Sequence, residues 1–374
     1  MYYNKFMEAL IFGGAFDPLH SEHVNILLNS IKQIKFSGKT IIVPTFVPPH
    51  KSKAVIDFET RVKLIDETLK DKGIDYEISD IEFLRGDDNY ASEILECFAK
   101  DYDKLYYLIG GDSLMTLESW HNPKKIMDIA TILVCGRTGY DGIDDKIEYL
   151  KKKYVADIIR IDYDGKPMSS TLLRTRLMLG LDTDVPQIEK VKPYFNQLHK
   201  ILTKLKSMQT EDLFLHSRAV AYRAVELNHI HRLGLDPYKC LIAGLLHDNA
   251  KQRLSLDGFS VPDDAIGTPV LHQFLGALKA ERDFGISDKE ILSAIKYHTT
   301  GKADMSVLEK LIYSADMLSE DRPDIERLLQ VMKNDFEIGF KACLSSSYFY
   351  VLSKKRGMYG LTKEAFEFYI QNKE

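Results

Sequence analysis

A change of period near residue 195 constrains this chain more than any other feature. Before that point short β-rich runs alternate with segments of helical spacing; after it the strand signal disappears. The runs are Ala9–Phe12, Thr40–Pro44, Tyr76–Ile81, Leu105–Ile109, Thr131–Cys135 and Asp157–Ile161. Between most of them lie helical patterns such as Val24–Ile34, Glu59–Leu69 and Ala91–Phe98. This alternation predicts a parallel sheet with helices on both faces. Such sheets bind ligands outside the carboxyl ends of their strands, so motifs immediately after strands carry extra weight. From Lys200 onward Val220–Leu227, Tyr238–Leu246, Leu271–Phe284, Ile291–Tyr297, Val307–Leu318 and Ile325–Phe340 read as helices; Leu308, Leu311, Ile312 and Ala315 share one face. The expected division is an α/β domain over residues 1–196 and an all-α domain over 197–374, both within the ~50–250 residues of ordinary domains. No Gly/Ser-rich linker marks the junction around Asn196–Lys206.

Composition narrows the class. In 374 residues, 45% are hydrophobic and 28% charged, which excludes a collagen-like repeat, a disordered tail protein and a disulfide-stapled miniature. Lys+Arg 50 against Asp+Glu 55 gives −5, so overall charge offers nothing to nucleic acid, while local phosphate sites stay open. Cys97, Cys135, Cys240 and Cys343 are far apart, the usage of a reducing cytosol, and form no thiolate zinc motif. No stretch approaches the ~20 apolar residues of a membrane helix, and the N-terminal apolar run is too short for a signal peptide. The expectation is a cytoplasmic protein with neither nucleic-acid nor membrane partners; its oligomeric state is left open.

Two anion sites are legible in the first half. The strand Ala9–Phe12 runs into Gly13-Gly14-Ala15-Phe16-Asp17-Pro18-Leu19-His20-Ser21-Glu22-His23 and then a helix. Glycines after a strand let the backbone approach a ligand and expose its N–H groups. His20 and His23 stand three apart where the helix dipole adds positive charge, which suits nucleotide phosphates. Near the end of the same domain, Met168-Ser169-Ser170-Thr171-Leu172-Leu173-Arg174 opens a helix that stops near Gly180. Ser169 or Ser170 can cap it, and Thr171 and Arg174 converge on one face.

With VPTFVPPHK at Val43–Lys51, IGGDSLMTLESW at Ile109–Trp120 and CGRTGY at Cys135–Tyr140, these motifs closely resemble the HxGH/SSTxxR nucleotidyltransferase superfamily, and more narrowly the bacterial nicotinate-nucleotide adenylyltransferases. The resemblance implies a Rossmann-like domain that transfers AMP from ATP, with Mg²⁺, to nicotinate mononucleotide, releasing pyrophosphate. It places the ATP phosphates on Gly13, Gly14, Ala15, Phe16, His20 and His23, with Ser169, Ser170, Thr171 and Arg174 at the β/γ end. It gives His50 and Lys51 the mononucleotide phosphate, and Asp112 and Trp120 the ribose and base. The chemistry needs positioning and cationic groups rather than a protein nucleophile. Ala15 stands where the family usually has Thr or Ser, and Glu22 where it has Gly.

Seven of the eleven histidines follow residue 196. His216, His247, Asp248, His272, His298 and Asp316 each sit in apolar sequence where an unpaired polar group is expensive to bury. A shared metal site accounts for all six. Four His and two Asp without Cys suit Fe, Mn or another divalent transition metal. Six ligands with a bridging carboxylate at Asp248 support two ions, an arrangement that activates water and stabilises an oxyanion. LLHDNAK, VLHQFLGA, AIKYHTTG and YSADMLSEDR resemble the HD-domain phosphohydrolases, and among them the family that splits diadenosine tetraphosphate into two ADP. That resemblance adds Lys251, Thr300 and Arg322 as phosphate contacts. Three other readings stay open: the HD half acts on another nucleotide, the first half senses nucleotides without catalysis, or its acceptor is the nicotinamide form.

Overall fold

The computed structural model describes residues 6–46, 55–86, 89–137, 142–165, 169–183, 185, 188–354 and 357–371; His50 and Lys51 lie outside them. The chain divides into two compact units, Met1–Arg174 with Asp182–Phe195, and Thr175–Leu181 with Asn196–Glu374.

The first unit is built on six strands: β1 (Glu8–Gly14), β2 (Lys39–Pro44), β3 (Tyr76–Ile78), β4 (Lys104–Gly110), β5 (Ala130–Arg137) and β6 (Ile158–Gly165). All pairs are parallel, in the order β3-β2-β1-β4-β5-β6. Strand residues alternate between two cores, as a period of two requires. Ala9, Ile11, Tyr107, Ile109, Ile132 and Val134 face one core, with Leu95, Leu114, Ile126 and Leu150 from the covering helices. Leu10, Phe12, Leu108 and Leu133 face the other, with Val24, Leu27, Ile65 and Leu69. Helices therefore cover both faces, and strand order reverses between β1 and β4. Gly13-Gly14 ends β1 and Gly110 ends β4, with Gly111 opening the next helix; these two strands flank that switch point, where sheets of this kind leave a crevice.

Two expected elements are cut short. The run Tyr76–Ile81 is a strand only to Ile78, because Ser79 turns the chain: its hydroxyl accepts from Ile81 N at 3.3 Å, opening the helix Ile81–Arg85. The pattern Ile325–Phe340 forms two helices, Glu326–Asn334 and Phe336–Ser353. Asp335 separates them in extended conformation, and its carboxylate accepts from Ile338 N at 2.8 Å as the N-cap of the second.

The second unit is helical. Glu211–His231, Pro237–Leu246, Leu271–Phe284, Lys289–Tyr297 and Val307–Met317 surround fully buried Val220, Ala224, Leu241, Leu245, Leu275, Ile295 and Leu311. Helix Pro237–Leu246 meets Glu211–His231 backbone to backbone at Gly244, where a Cβ would lie 2.7 Å from Ala221 Cα. That close approach brings the end of the one helix beside the middle of the other.

Candidate active sites

At the switch point of the first unit, Phe16 carries a positive φ of 45° and turns its ring into the core, edge-on to Phe12 and His23 at 5.2 Å each. Phe16 can therefore offer a ligand only its main chain. A Cβ on Gly14 would come within 3.1 Å of that ring, so a larger residue there would press on the Phe16 side chain. His20 occupies the cap position of helix Ser21–Gln33, and its ring stacks on His23 with centroids 3.7 Å apart. His23 Nδ1 accepts from His20 N at 3.4 Å. The two imidazoles thus form one plate at a helix N-terminus, where anions are favoured. Glu22, between them, is buried; its carboxylate accepts from Asn25 Nδ2 at 3.1 Å and the Tyr163 hydroxyl at 3.0 Å.

The second anion motif joins the first. Ser169 is the capping residue, its hydroxyl accepting from Leu172 N at 3.2 Å. Arg174 Nη2 reaches Thr171 Oγ1 at 3.3 Å, and Nη1 donates to the Asp17 carbonyl at 2.7 Å, beside the Asp17 carboxylate at 3.5 Å. Asp17 also accepts from Val55 N and Ile56 N at 2.9 and 3.0 Å. Asp112 is exposed at the start of helix Gly111–Thr116. Trp120 packs against the core, and its indole N–H donates to Thr116 Oγ1 at 3.3 Å. These partners give Trp120 a packing role.

Arg61 is the residue sequence reasoning passed over. It is almost wholly buried and donates to Ile56 O (3.1 Å), Ala15 O (2.6 Å) and Thr45 O (2.9 Å). One guanidinium so ties the loop after β1 to the segment after β2. Close by, burial pushes the Glu82 carboxyl up to about 7, against the Phe46 N–H at 3.0 Å and the Arg61 charge, which both lower it. Its only signal was an arginine inside an otherwise amphipathic helix.

In the second unit all six expected ligands converge. His247 Nδ1 donates to Gly244 O at 2.7 Å, His272 Nδ1 to Pro269 O at 2.7 Å and His298 Nδ1 to Ile295 O at 2.8 Å. A carbonyl can only accept, so each Nδ1 carries a proton and Nε2 is the nitrogen left to meet a metal. All three Nε2 atoms face Asp248: His247 at 3.3 Å from Oδ2, and His272 and His298 at 3.2 and 3.4 Å from Oδ1. His216 Nε2 lies 3.1 Å from Asp316 Oδ1, which is 3.8 Å from His247 Nε2. Two triads are compact enough to hold an ion each, His216–His247–Asp316 and His247–Asp248–His298.

The donor set fits divalent metal. His247 Nε2 and Asp248 Oδ1 are buried and make no hydrogen bond of good geometry among the described residues. Burial opposes ionisation of Asp248; protonated, the imidazoles of His247, His272 and His298 outweigh it and hold the carboxyl well below its usual range, and with the rings neutral a bound cation takes that part. Asp316, likewise buried, is lowered by His216, His247 and Arg322. Lys251 Nζ donates to Asp248 Oδ2 at 2.6 Å and Arg322 to Asp316; both cations are partly exposed. Thr300 is placed differently from its expected role. It is fully buried, donates to Gly301 O at 2.9 Å and accepts from Gln273 Nε2 at 3.0 Å; the hydroxyl that meets the imidazoles is that of Thr299. Asp321 was also passed over. Its carboxylate lies 2.8 Å from His216 Nδ1, the orienting partner that carbonyls provide for the other three rings. It adjoins Arg322 in the SEDR run, which was the available signal.

Comparison with known proteins follows this division. A Cytidylyltransferase-like family model matches residues 11–176 and an HD domain model matches residues 213–321. A Clostridium acetobutylicum protein named "Probable nicotinate-nucleotide adenylyltransferase" is 36% identical over 173 residues, 45% of this chain and 85% of the relative. A Mycoplasma genitalium protein named "Probable nicotinate-nucleotide adenylyltransferase/Ap4A hydrolase" is 28% identical over 354 residues, 88% of this chain and 95% of the relative. A solved Clostridium acetobutylicum structure, described as a "predicted HD superfamily hydrolase involved in NAD metabolism", is 30% identical, covers 47% of this chain and 98% of its own, and has a TM-score of 0.44. The chain belongs to the nicotinate-nucleotide adenylyltransferase family, with an HD domain following the transferase-like unit in the same polypeptide.

Proposed function

We propose that this chain is a cytoplasmic enzyme of two activities, a transferase over residues 1–196 and a hydrolase over 197–374. The first transfers AMP from ATP to nicotinate mononucleotide, giving deamido-NAD and pyrophosphate. The second splits diadenosine tetraphosphate into two ADP. What carries the pairing is one observation: six ligand-type side chains converge in a unit that follows a member of the adenylyltransferase family. The full-length Mycoplasma relatives, named for both activities, support it.

In the first reaction the mononucleotide phosphate attacks the α-phosphorus of ATP in line. The new P–O bond forms as the bond to the β-phosphate breaks, and pyrophosphate leaves. The loop Gly13–Phe16 offers main-chain N–H groups to the triphosphate, which travels with Mg²⁺. The His20–His23 plate and Arg174, with Ser170 and Thr171, hold its charge; Asp112 serves the ribose, and His50 and Lys51 the acceptor phosphate. Glu22, bonded to Asn25 and Tyr163, is compatible with that site. In the second reaction, a pair of Fe or Mn ions, when bound, lowers the pKa of water and neutralises charge on the reacting oxygens. The chain holds that pair with His216, His247, Asp248, His272, His298 and Asp316, and presents Lys251 and Arg322 to the phosphates.

The test is direct. Purified chain with ATP, Mg²⁺ and nicotinate mononucleotide releases pyrophosphate, and with diadenosine tetraphosphate yields ADP as sole product. ATP binding without pyrophosphate release makes the first unit a sensor. Faster turnover of another member of a nucleotide panel reassigns the second.

A further inference from the structure

We propose that Thr299 supplies a ligand, its hydroxyl oxygen, to one of the two ions of the HD unit; this rests on the two-ion reading above. The HTTG run reads in sequence as one histidine followed by polar turn residues, and it is geometry that separates its two threonines. Thr299 Oγ1 lies 3.1 Å from His272 Nε2 and 2.9 Å from His298 Nε2, and those two nitrogens are 3.2 Å apart. Asp248 Oδ1 stands 3.2 and 3.4 Å from the same nitrogens. Four atoms on three separate segments thus crowd within a span where each is the neighbour of the next.

With the rings neutral, as metal ligation requires, hydrogen bonding does not account for that crowding. Both imidazoles donate Nδ1–H to backbone carbonyls, so in the neutral rings both Nε2 atoms are lone pairs. The carboxylate oxygen is a third acceptor. The single proton of the Thr299 hydroxyl can serve one of these acceptors and leaves two facing each other. A cation among them resolves the repulsion. Donors that bind one ion at about 2.1–2.2 Å and at right angles sit roughly 3 Å from one another, the spacing these atoms have. A hydroxyl oxygen is a competent hard ligand beside imidazole and carboxylate.

The hydroxyl is also held in place. Gln273, fully buried and adjacent to His272, accepts from Thr299 N at 3.2 Å and Thr300 N at 3.1 Å, and donates to Thr300 Oγ1. This clamp fixes the turn after helix Lys289–Tyr297, so Thr300 closes the turn while Thr299 faces the imidazoles. The His216–Asp316 side has no such hydroxyl aimed between two Nε2 atoms among the described residues, so the effect falls on one ion.

Titrating the chelator-stripped full chain with Mn²⁺, read by the electron paramagnetic resonance of free Mn²⁺ and by elemental analysis, tests this. The unsubstituted chain binds two ions. Thr299→Val, of nearly the same volume, retains one at the original affinity and binds the second at least about tenfold more weakly. Thr299→Ser keeps both sites within about threefold, because it keeps the oxygen. Unchanged binding of both ions by Thr299→Val overturns the ligand assignment and leaves the two-ion reading intact. So does loss of both ions by a variant that melts like the parent. A single Mn²⁺ site in the unsubstituted chain removes the two-ion reading, and the assignment of Thr299 with it. Should the valine variant fail to fold, Thr299→Ala takes its place under the same outcomes.

Discussion

The two candidate sites are made in opposite ways. The first is built of main chain: a glycine pair at the end of β1, a helix N-terminus carrying two stacked imidazoles, and an arginine docked on the carbonyl of Asp17. The second is built of side chains from five helical segments, each imidazole aimed by a bond at its far nitrogen, around the buried Asp248. A main-chain site is contiguous in sequence and depends on what fixes loop shape. A side-chain site is dispersed and depends on each ligand and its orienting partner. The sites should therefore fail differently when residues are removed.

The largest expected effect separates them outright. His247→Ala with Asp248→Ala removes a ligand common to both triads and the carboxylate that three imidazoles face. Bound transition metal, measured by elemental analysis, should be lost, and diadenosine tetraphosphate hydrolysis should fall at least about a thousandfold. Pyrophosphate release by the first unit should stay within about twofold, since no residue of its loops is touched. Stoichiometric metal in the double variant would break the ligand assignment. A matching collapse of the transferase would break the comparison.

Arg61→Met is the counterpart in the first unit. It leaves the carbonyls of Ala15, Thr45 and Ile56 without their donor and should cost about 3 kcal/mol. The melting transition of that unit should fall by roughly 6–12 °C, and pyrophosphate release by at least about tenfold, because the loop after β1 loses its tie to the segment after β2. Metal content of the second unit should not move. An undisturbed transferase in this variant would show that the loop holds its shape without Arg61.

This contrast explains what was legible in the sequence. Strand–helix alternation located the six strands of the described residues, since a strand buried on both faces reads as a short continuous apolar run between helical patterns. The ends were less legible: Ser79 and Asp335 stop elements by local side-chain bonds that hydropathy does not register. The cluster of imidazoles and carboxylates could be read because charge and imidazole inside apolar helices demand a partner. Their orienting and clamping groups could not. Asp321 and Gln273 are ordinary polar residues until the fold sets one on His216 and the other on the Thr299–Thr300 turn. Thr299 and Thr300 are alike in sequence, and only the direction of the turn distinguishes the hydroxyl that meets the imidazoles from the one that closes the turn.

A smaller effect is expected at the orienting carboxylate. Asp321→Asn keeps the shape of the partner to His216 and removes its charge. Metal affinity should fall about tenfold to a hundredfold, the usual range for such outer partners. Fold stability should be nearly unchanged, since the Asp321 side chain is more than a third exposed. A competition assay with a graded chelator measures it. Unaltered affinity would mean that Asp316 and the Ser319 hydroxyl, 3.4 Å from the same Nδ1, set the ring of His216.

The smallest effect is a change in how stability depends on pH. Burial raises the Glu82 carboxyl to about 7, with Phe46 N–H and Arg61 acting the other way. Unfolded, the same group ionises near ~4.3. Between those values the folded chain keeps a proton that the unfolded chain has released. Stability is therefore full below the lower value and is lost as pH rises towards 7. Glu82→Gln keeps an oxygen for Phe46 N–H but does not titrate. At pH 5 the variant should melt close to the parent. By pH 8 it should be the more stable by about 2 kcal/mol, allowing for partial exposure, or roughly 5 °C for a unit of this size. The main-chain site is thus expected to carry a pH-dependent strain beside its Arg61 tie, in the opposite direction from the ionised carboxylates of the metal site. Parallel melting curves for variant and parent from pH 5 to 8 would place Glu82 at its ordinary pKa and remove that difference.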